Sequence, residues 1–144
     1  MDVPKIYIAD ASVLIKWAVA EVENLTEANI FRNDFLNARI KIILPGHCLP
    51  EVANYFGRKA QHIAVSFLSF LITSDIEENC LTFPEISIAF KLMKKYPGIS
   101  FYDASYHTLA MQENGVFITA DEKYYRKTKK EGHIMLLKDY GKRR

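Results

Sequence analysis

Ile6-Tyr7-Ile8-Ala9-Asp10-Ala11-Ser12 decides how the rest of the chain is read. An apolar run ends abruptly at a carboxylate, and a small residue and a hydroxyl follow. Val13-Leu14-Ile15-Lys16-Trp17 then resumes the apolar pattern. A strand covered on both faces shows such a near-continuous apolar run. The stretch therefore predicts a short buried strand, then a helix beginning at or just after Asp10. In open α/β sheets the ligand crevice lies beyond the carboxyl ends of the strands. Asp10 is expected to point into that crevice.

The same device returns late in the chain as Val116-Phe117-Ile118-Thr119-Ala120-Asp121. Between the two lie further alternating elements. Leu25, Ala28, Phe31, Phe35 and Ala38 recur at helical spacing, after a polar Glu21-Val22-Glu23-Asn24. Lys41 to Pro45 reads as a second strand, and His47-Cys48-Leu49-Pro50-Glu51 opens a helix with proline in its first turn. Cys80 to Phe83 reads as a minor strand, and Pro84-Glu85 opens a helix that Tyr96-Pro97-Gly98 stops. Ser100 to Asp103 starts another, closed by Asn114-Gly115. Tyr124 to Lys130 reads as a short basic helix and Ile134 to Leu137 as a last strand. Such alternation argues for a parallel sheet flanked by helices.

Gln61 to Ser74 is apolar on most sides. A helix apolar all round is buried, here either inside the core or against a second copy of the chain; a homodimer contact is expected at this helix.

At 144 residues the chain is expected to form a single domain over residues 1–144. The net charge is only +2, unevenly spread: residues 122–144 hold nine Lys or Arg against three acids. An acidic body with a basic C-terminal segment suits a site that holds cations beside a surface that attracts phosphates; Lys142 to Arg144 read as a solvated tail. Cys48 and Cys80 form no CxxC pair, so reduced, mostly buried thiols and a cytoplasmic location are expected. Asp2 stands where a signal peptide carries basic residues, and no apolar segment is long enough to span a bilayer. No membrane association is expected.

Asp10, Glu51, Asp103 and Asp121 stand out by position. Each has a purely structural explanation as a helix cap or a complement to a helix dipole. Together they point elsewhere, because strand ends and the helix starts after them share one edge of a parallel sheet. Carboxylates converging without Lys or Arg repel one another and raise their own pKa values. A hard divalent cation, Mg²⁺ or Mn²⁺, relieves that repulsion and suits oxygen ligands. Such an ion serves hydrolysis of a phosphodiester. Ser12 and Thr119, each two residues from an aspartate, are placed to support this site. His47, His62, His107 and His133 match no zinc spacing. His107 stands one helical turn after Asp103, able to orient that carboxylate or simply to pack at the surface.

These motifs resemble the PIN domains, and among them the VapC-type toxin ribonucleases. The resemblance rests on Ile8-Ala9-Asp10-Ala11-Ser12, Leu49-Pro50-Glu51-Val52-Ala53, Phe101-Tyr102-Asp103-Ala104 and Ile118-Thr119-Ala120-Asp121, in the family's order. It implies a three-layer α/β/α sandwich with a mostly parallel central sheet. It also implies a Mg²⁺- or Mn²⁺-dependent endoribonuclease acting on RNA, often dimeric, with a small antitoxin protein as partner. Asp10, Asp103 and Asp121 would then bind metal, and Glu51 would bind metal or orient the attacking water. Lys123, Arg126 and Lys127 are expected to guide the RNA backbone, since phosphate contacts position without choosing sequence.

Two other α/β readings lack their residues. A receiver domain needs an acid at the end of a middle strand, where this chain has Pro45-Gly46. A phosphatase of the DxD type needs a second aspartate where Ser12 stands. A non-catalytic protein of the same fold, binding RNA or a partner chain, is the remaining alternative.

Overall fold

The protein was analysed as a computed structural model that describes residues 3–19 and 23–142. Five strands form one all-parallel sheet: β1 (Lys5–Ala9), β2 (Ile40–Pro45), β3 (Glu77–Asn79), β4 (Val116–Thr119) and β5 (Ile134–Leu136). Seven α-helices are present among the described residues: α1 (Ala11–Ile15), α2 (Leu25–Leu36), α3 (Cys48–Lys59), α4 (Gln61–Thr73), α5 (Phe83–Lys95), α6 (Phe101–Gln112) and α7 (Glu122–Thr128). Glu21, Val22, Arg143 and Arg144, read above as part of a polar stretch and of a basic segment, lie outside the described residues.

The sheet order is β3-β2-β1-β4-β5. The chain winds outward from β1 through β2 to β3, then returns to the other side of β1 for β4 and β5. The winding therefore reverses between β1 and β4, where a crevice opens beyond the strand ends. Asp10 follows one of those strands and Asp121 the other. The register fixes this: Ile8 pairs with Phe117 and Ala9 with Ile118. The Asp10 N–H extends the ladder to Ile118 O at 3.0 Å.

Side chains alternate across the two faces of the sheet. Tyr7 meets Phe31 of α2 and Tyr140, with ring centroids 5.4 and 5.6 Å away. On the other face Phe117 stacks on Tyr106 of α6 at 5.2 Å. Helices thus cover both faces, and Ile8, Ile42, Leu44 and Ile118 are fully buried between them. The long aromatic side chains give the central strands much of their apolar burial, at roughly 25 cal/mol per Å² removed from water.

Three expectations are corrected. The minor strand is not Cys80 to Phe83 but Glu77–Asn79; Thr82 caps α5 instead, accepting the Glu85 N–H. The strand is short, polar and at the sheet edge, so no apolar run marks it. Cys80 is exposed, whereas Cys48 is buried as expected. His107 is neither a surface residue nor a partner of Asp103. It is fully buried, with Nδ1 2.9 Å from the Tyr124 hydroxyl and Nε2 2.7 Å from Gly132 O.

Helix α4 is not an internal core helix. Only Leu71 is buried, while Val65 is 82% and Ile72 67% exposed.

Candidate functional site

Each acidic residue owes its place to a local device. Asp10 is the N-cap of α1: its Oδ1 accepts the Ser12 N–H at 3.4 Å. Its Oδ2 accepts the Thr119 hydroxyl at 2.7 Å. Thr119 is itself fully buried, and its Oγ1 accepts the Asp121 N–H at 3.1 Å. Asp121 caps α7, accepting the Tyr124 N–H at 3.0 Å. Asp103 stands in the first turn of α6, where its N–H donates to the Ser100 hydroxyl at 3.0 Å. Glu51 stands in the first turn of α3. The structural explanations for these residues are therefore correct, and they coexist with a shared site, because a capping carboxylate keeps lone pairs to spare.

The four acids border adjoining cavities: Asp10 and Glu51 share one, Glu51 and Asp103 a second, Asp103 and Asp121 a third. Burial pushes the Glu51 carboxyl up to about 7, with the charges of Asp10 and Asp103 adding to it. Burial likewise raises Asp103 to about 6, reinforced by Asp10 and Asp121. Asp10 is also raised, by burial first and by Asp121 last; hydrogen bonds from Thr119 and Ser12 oppose the rise. No Lys or Arg contributes to any of these shifts.

The donor set is all oxygen and holds more negative charge than its surroundings neutralise. That chemistry fits a hard divalent cation. The spacing is looser than a closed ligand cage: among the described residues no three His, Cys, Asp or Glu side chains stand close enough together to hold an ion.

Cations flank the acids rather than pairing with them. Lys123 and Lys127 line a small cavity with Asp103 and Asp121. Arg126, one helical step off that face, lies in the field of Glu122 and Lys138 and does not join it. On the opposite side, Arg58 and Lys59 line a cavity that includes Asp10, Ser12 and Glu51. The fold carries the last turn of α3, with Arg58 and Lys59, alongside the acids.

Cys48 lies beneath the site and is not a nucleophile. Burial raises its thiol far above the usual range, and its Sγ donates to Ala9 O at 3.7 Å. His47 reaches the site from the N-terminus of α3, with Nε2 3.5 Å from Glu51 Oε1.

A model of the PIN-domain family matches residues 7–130. No curated protein matches by sequence. Solved structures similar in fold include the sarcin–ricin-loop-cleaving toxin VapC20 of Mycobacterium tuberculosis, at TM-score 0.67 and 14% identity over 83% of this chain and 93% of that one. A toxin–antitoxin complex from Klebsiella pneumoniae aligns at 0.68 and 16%, covering 91% of this chain and 97% of that one. The protein PAE2754 of Pyrobaculum aerophilum aligns at 0.66 and 21%, covering 92% and 90%. At these identities the likeness speaks for the fold.

Proposed function

The chain belongs to the PIN-domain family, and from that premise we propose that it is a metal-dependent endoribonuclease, the toxin of a toxin–antitoxin pair. The observation that carries this reading is the gathering of Asp10, Glu51, Asp103 and Asp121 at one edge of the sheet, near enough that Asp10, Glu51 and Asp103 each feel a neighbouring carboxylate. A structural neighbour that cleaves the sarcin–ricin loop and another solved as a toxin–antitoxin complex support it.

Asp10, Asp103 and Asp121, with Glu51, would hold Mg²⁺ or Mn²⁺, partly through the waters that Mg²⁺ tends to keep. The ion would supply Lewis-acid chemistry at the phosphate and lower the pKa of a water. Thr119 fixes the Asp10 carboxylate for this task. Glu51 would also orient the attacking water and take its proton at a carboxylate oxygen. Lys123 and Lys127 on one side, and Arg58 and Lys59 on the other, would carry the RNA backbone past the acids.

The cognate antitoxin is a small protein that occupies the same groove. We assign the open face of α4 to a second copy of the chain. Residues 61–74 include no Asp, Glu, Lys or Arg, so two such faces meet without charge repulsion. Light scattering at micromolar concentration tests this, and a monomer refutes it. No helix among the described residues is long and apolar enough to cross a membrane, and the reading places the enzyme with its RNA in the cytoplasm.

The test of function is cleavage of total cellular RNA with Mg²⁺, with Mn²⁺, with EDTA and by the Asp10→Asn variant. Cuts at few sites, abolished by EDTA and by Asp10→Asn, are expected. No cleavage by folded, inhibitor-free protein would move the assignment to the non-catalytic alternative.

A further inference from the structure

Beside the acids, where the N-terminal ends of α3 and α6 meet, lies a cavity of about 550 Å³. Its size falls within the range of small-ligand sites. Two rings and a proline furnish its walls: His47, Tyr102 and Pro50. Tyr102 is 58% exposed, although it stands next to Asp103 on a helix whose residues from Ala104 to Ala110 are all buried. Its ring centroid is 5.2 Å from that of His47, and His47 is braced from behind by the buried Tyr106 at 4.7 Å. The wall is therefore supported, and its outer ring presents a free aromatic surface.

The polar equipment is as specific. Asn54 and Ser100 line the cavity, and Glu51 and Asp103 form its border with the acidic crevice. No Lys or Arg lines it. A phosphate is repelled from such a place, whereas a neutral planar group with hydrogen-bonding edges is not. An amide such as that of Asn54 offers two donors and an acceptor, the equipment for reading a base edge. Asn54 also lines the neighbouring cavity that holds Asp10, Arg58 and Lys59, so it stands between this pocket and the cationic side of the acids.

We infer that the cavity walled by His47 and Tyr102 receives one unpaired nucleobase of the substrate, stacked on Tyr102 and read at its edge by Asn54, next to the phosphate placed at the acids. The inference rests on the nuclease reading of the site and adds the form of the substrate: a single-stranded or looped segment whose base is splayed from its neighbours. Aromatic stacking tolerates any base, so Tyr102 supplies affinity and Asn54 supplies choice.

A short unpaired oligonucleotide with 2′-O-methyl sugars, carrying 2-aminopurine, tests this by fluorescence with Mn²⁺ present and at low salt, its blocked 2′ oxygens and an electrophoretic check showing that no cleavage intervenes. Wild-type protein is expected to quench the probe. Tyr102→Phe keeps the ring and the quenching. Tyr102→Leu loses the quenching and binds roughly tenfold more weakly. Circular dichroism confirms that the variants fold; the exposure of Tyr102 makes the leucine variant tolerable. In the cleavage assay, Asn54→Ala is expected to broaden the choice of base beside the cut.

Unchanged quenching in Tyr102→Leu overturns the inference, even if the wild type cleaves RNA and the nuclease reading stands. Quenching that depends on Tyr102, in a protein that cleaves nothing with either metal, leaves the base pocket standing and removes the nuclease. Absent quenching in the wild type, with Tyr102→Leu instead weakening capture of a protein partner, overturns the base pocket and gives the surface to a protein.

Discussion

The Thr119 hydroxyl donates to Asp10 Oδ2 at 2.7 Å, joining two residues 109 positions apart across the strands at the centre of the sheet. The Thr119 hydroxyl oxygen in turn accepts the Asp121 N–H. One buried hydroxyl thus sets the direction of one carboxylate and the backbone of another. Thr119→Val keeps the shape and removes this tie. Outer partners of metal ligands are worth about 10- to 100-fold in affinity or activity. Isothermal titration with Mn²⁺ should show a loss in that range for Thr119→Val, with a folded protein by circular dichroism. Thr119→Ser should recover most of the affinity. Equal metal binding by all three proteins would remove Thr119 from the site.

The acidic cluster costs stability when no cation is bound. Glu51 and Asp103 have carboxyl groups raised to about 7 and about 6 in the fold, above their ordinary values of 4.5 and 3.8. A raised acid binds its proton more tightly folded than unfolded. Its stabilising effect is present below the unfolded value and lost as pH rises through the folded one. Metal-free protein should therefore lose stability between about pH 4 and pH 7 from these two groups. At pH 8, Asp103→Asn should raise the melting temperature by a few degrees, on the order of 1–2 kcal/mol after allowance for solvent screening. Glu51→Gln, more exposed, should gain less. Thermal melts in EDTA measure both effects. Added Mn²⁺ should stabilise the wild type more at pH 8 than at pH 5, and a melting temperature independent of both substitutions would contradict the cluster's electrostatics.

The acids were legible in the sequence because a strand that ends in a carboxylate marks itself: apolar Ile8-Ala9 before Asp10, apolar Val116-Phe117-Ile118 shortly before Asp121. Their adjacency was legible only as a shared edge. That β1 and β4 are neighbours depends on sheet order, which local pattern does not encode. Glu77-Glu78-Asn79 escaped because an edge strand can be polar throughout. His107 escaped because its partners, Tyr124 and Gly132, lie 17 and 25 residues further on. The wall formed by His47 and Tyr102 escaped for a similar reason: two helix starts, far apart in sequence, must first be brought together.

His107 is buried neutral. Burial lowers its pKa from the ordinary 6.5, against the smaller raising effects of Gly132 O and Glu131. The unfolded chain takes up a proton near pH 6.5 that the folded chain refuses. The group therefore makes stability fall as pH drops below 6.5, by at most about 1.4 kcal/mol per pH unit. This runs opposite to the carboxylates over the same window. Comparison with His107→Gln separates them: the variant should be less stable at pH 8, having lost packing and two hydrogen bonds, yet its deficit should shrink by pH 5. Urea melts at the two pH values measure the difference. A deficit that stays constant would mean that His107 titrates alike in both states.

Lys123 and Lys127 share the cavity with Asp103 and Asp121, and Arg126 does not. Lys123 and Lys127, four apart, share a face of α7, while Arg126 instead acts on the charges of Glu122 and Lys138. If the backbone of the RNA passes the acids, the first two neutralise phosphates and the third does not. Each phosphate contact to a single strand contributes about 0.7 to the slope of log affinity against log salt. Lys123→Ala and Lys127→Ala should each flatten the slope by roughly that amount, while Arg126→Ala should leave it unchanged. Filter binding of an uncleavable oligonucleotide between low and moderate salt provides the slopes. A flattening by Arg126→Ala equal to the others would show that the helix presents its basic side as a diffuse field and not as a register of two contacts. Flattening by Arg58→Ala as well would extend the track to the far side of the acids, with phosphates on both flanks of the cut.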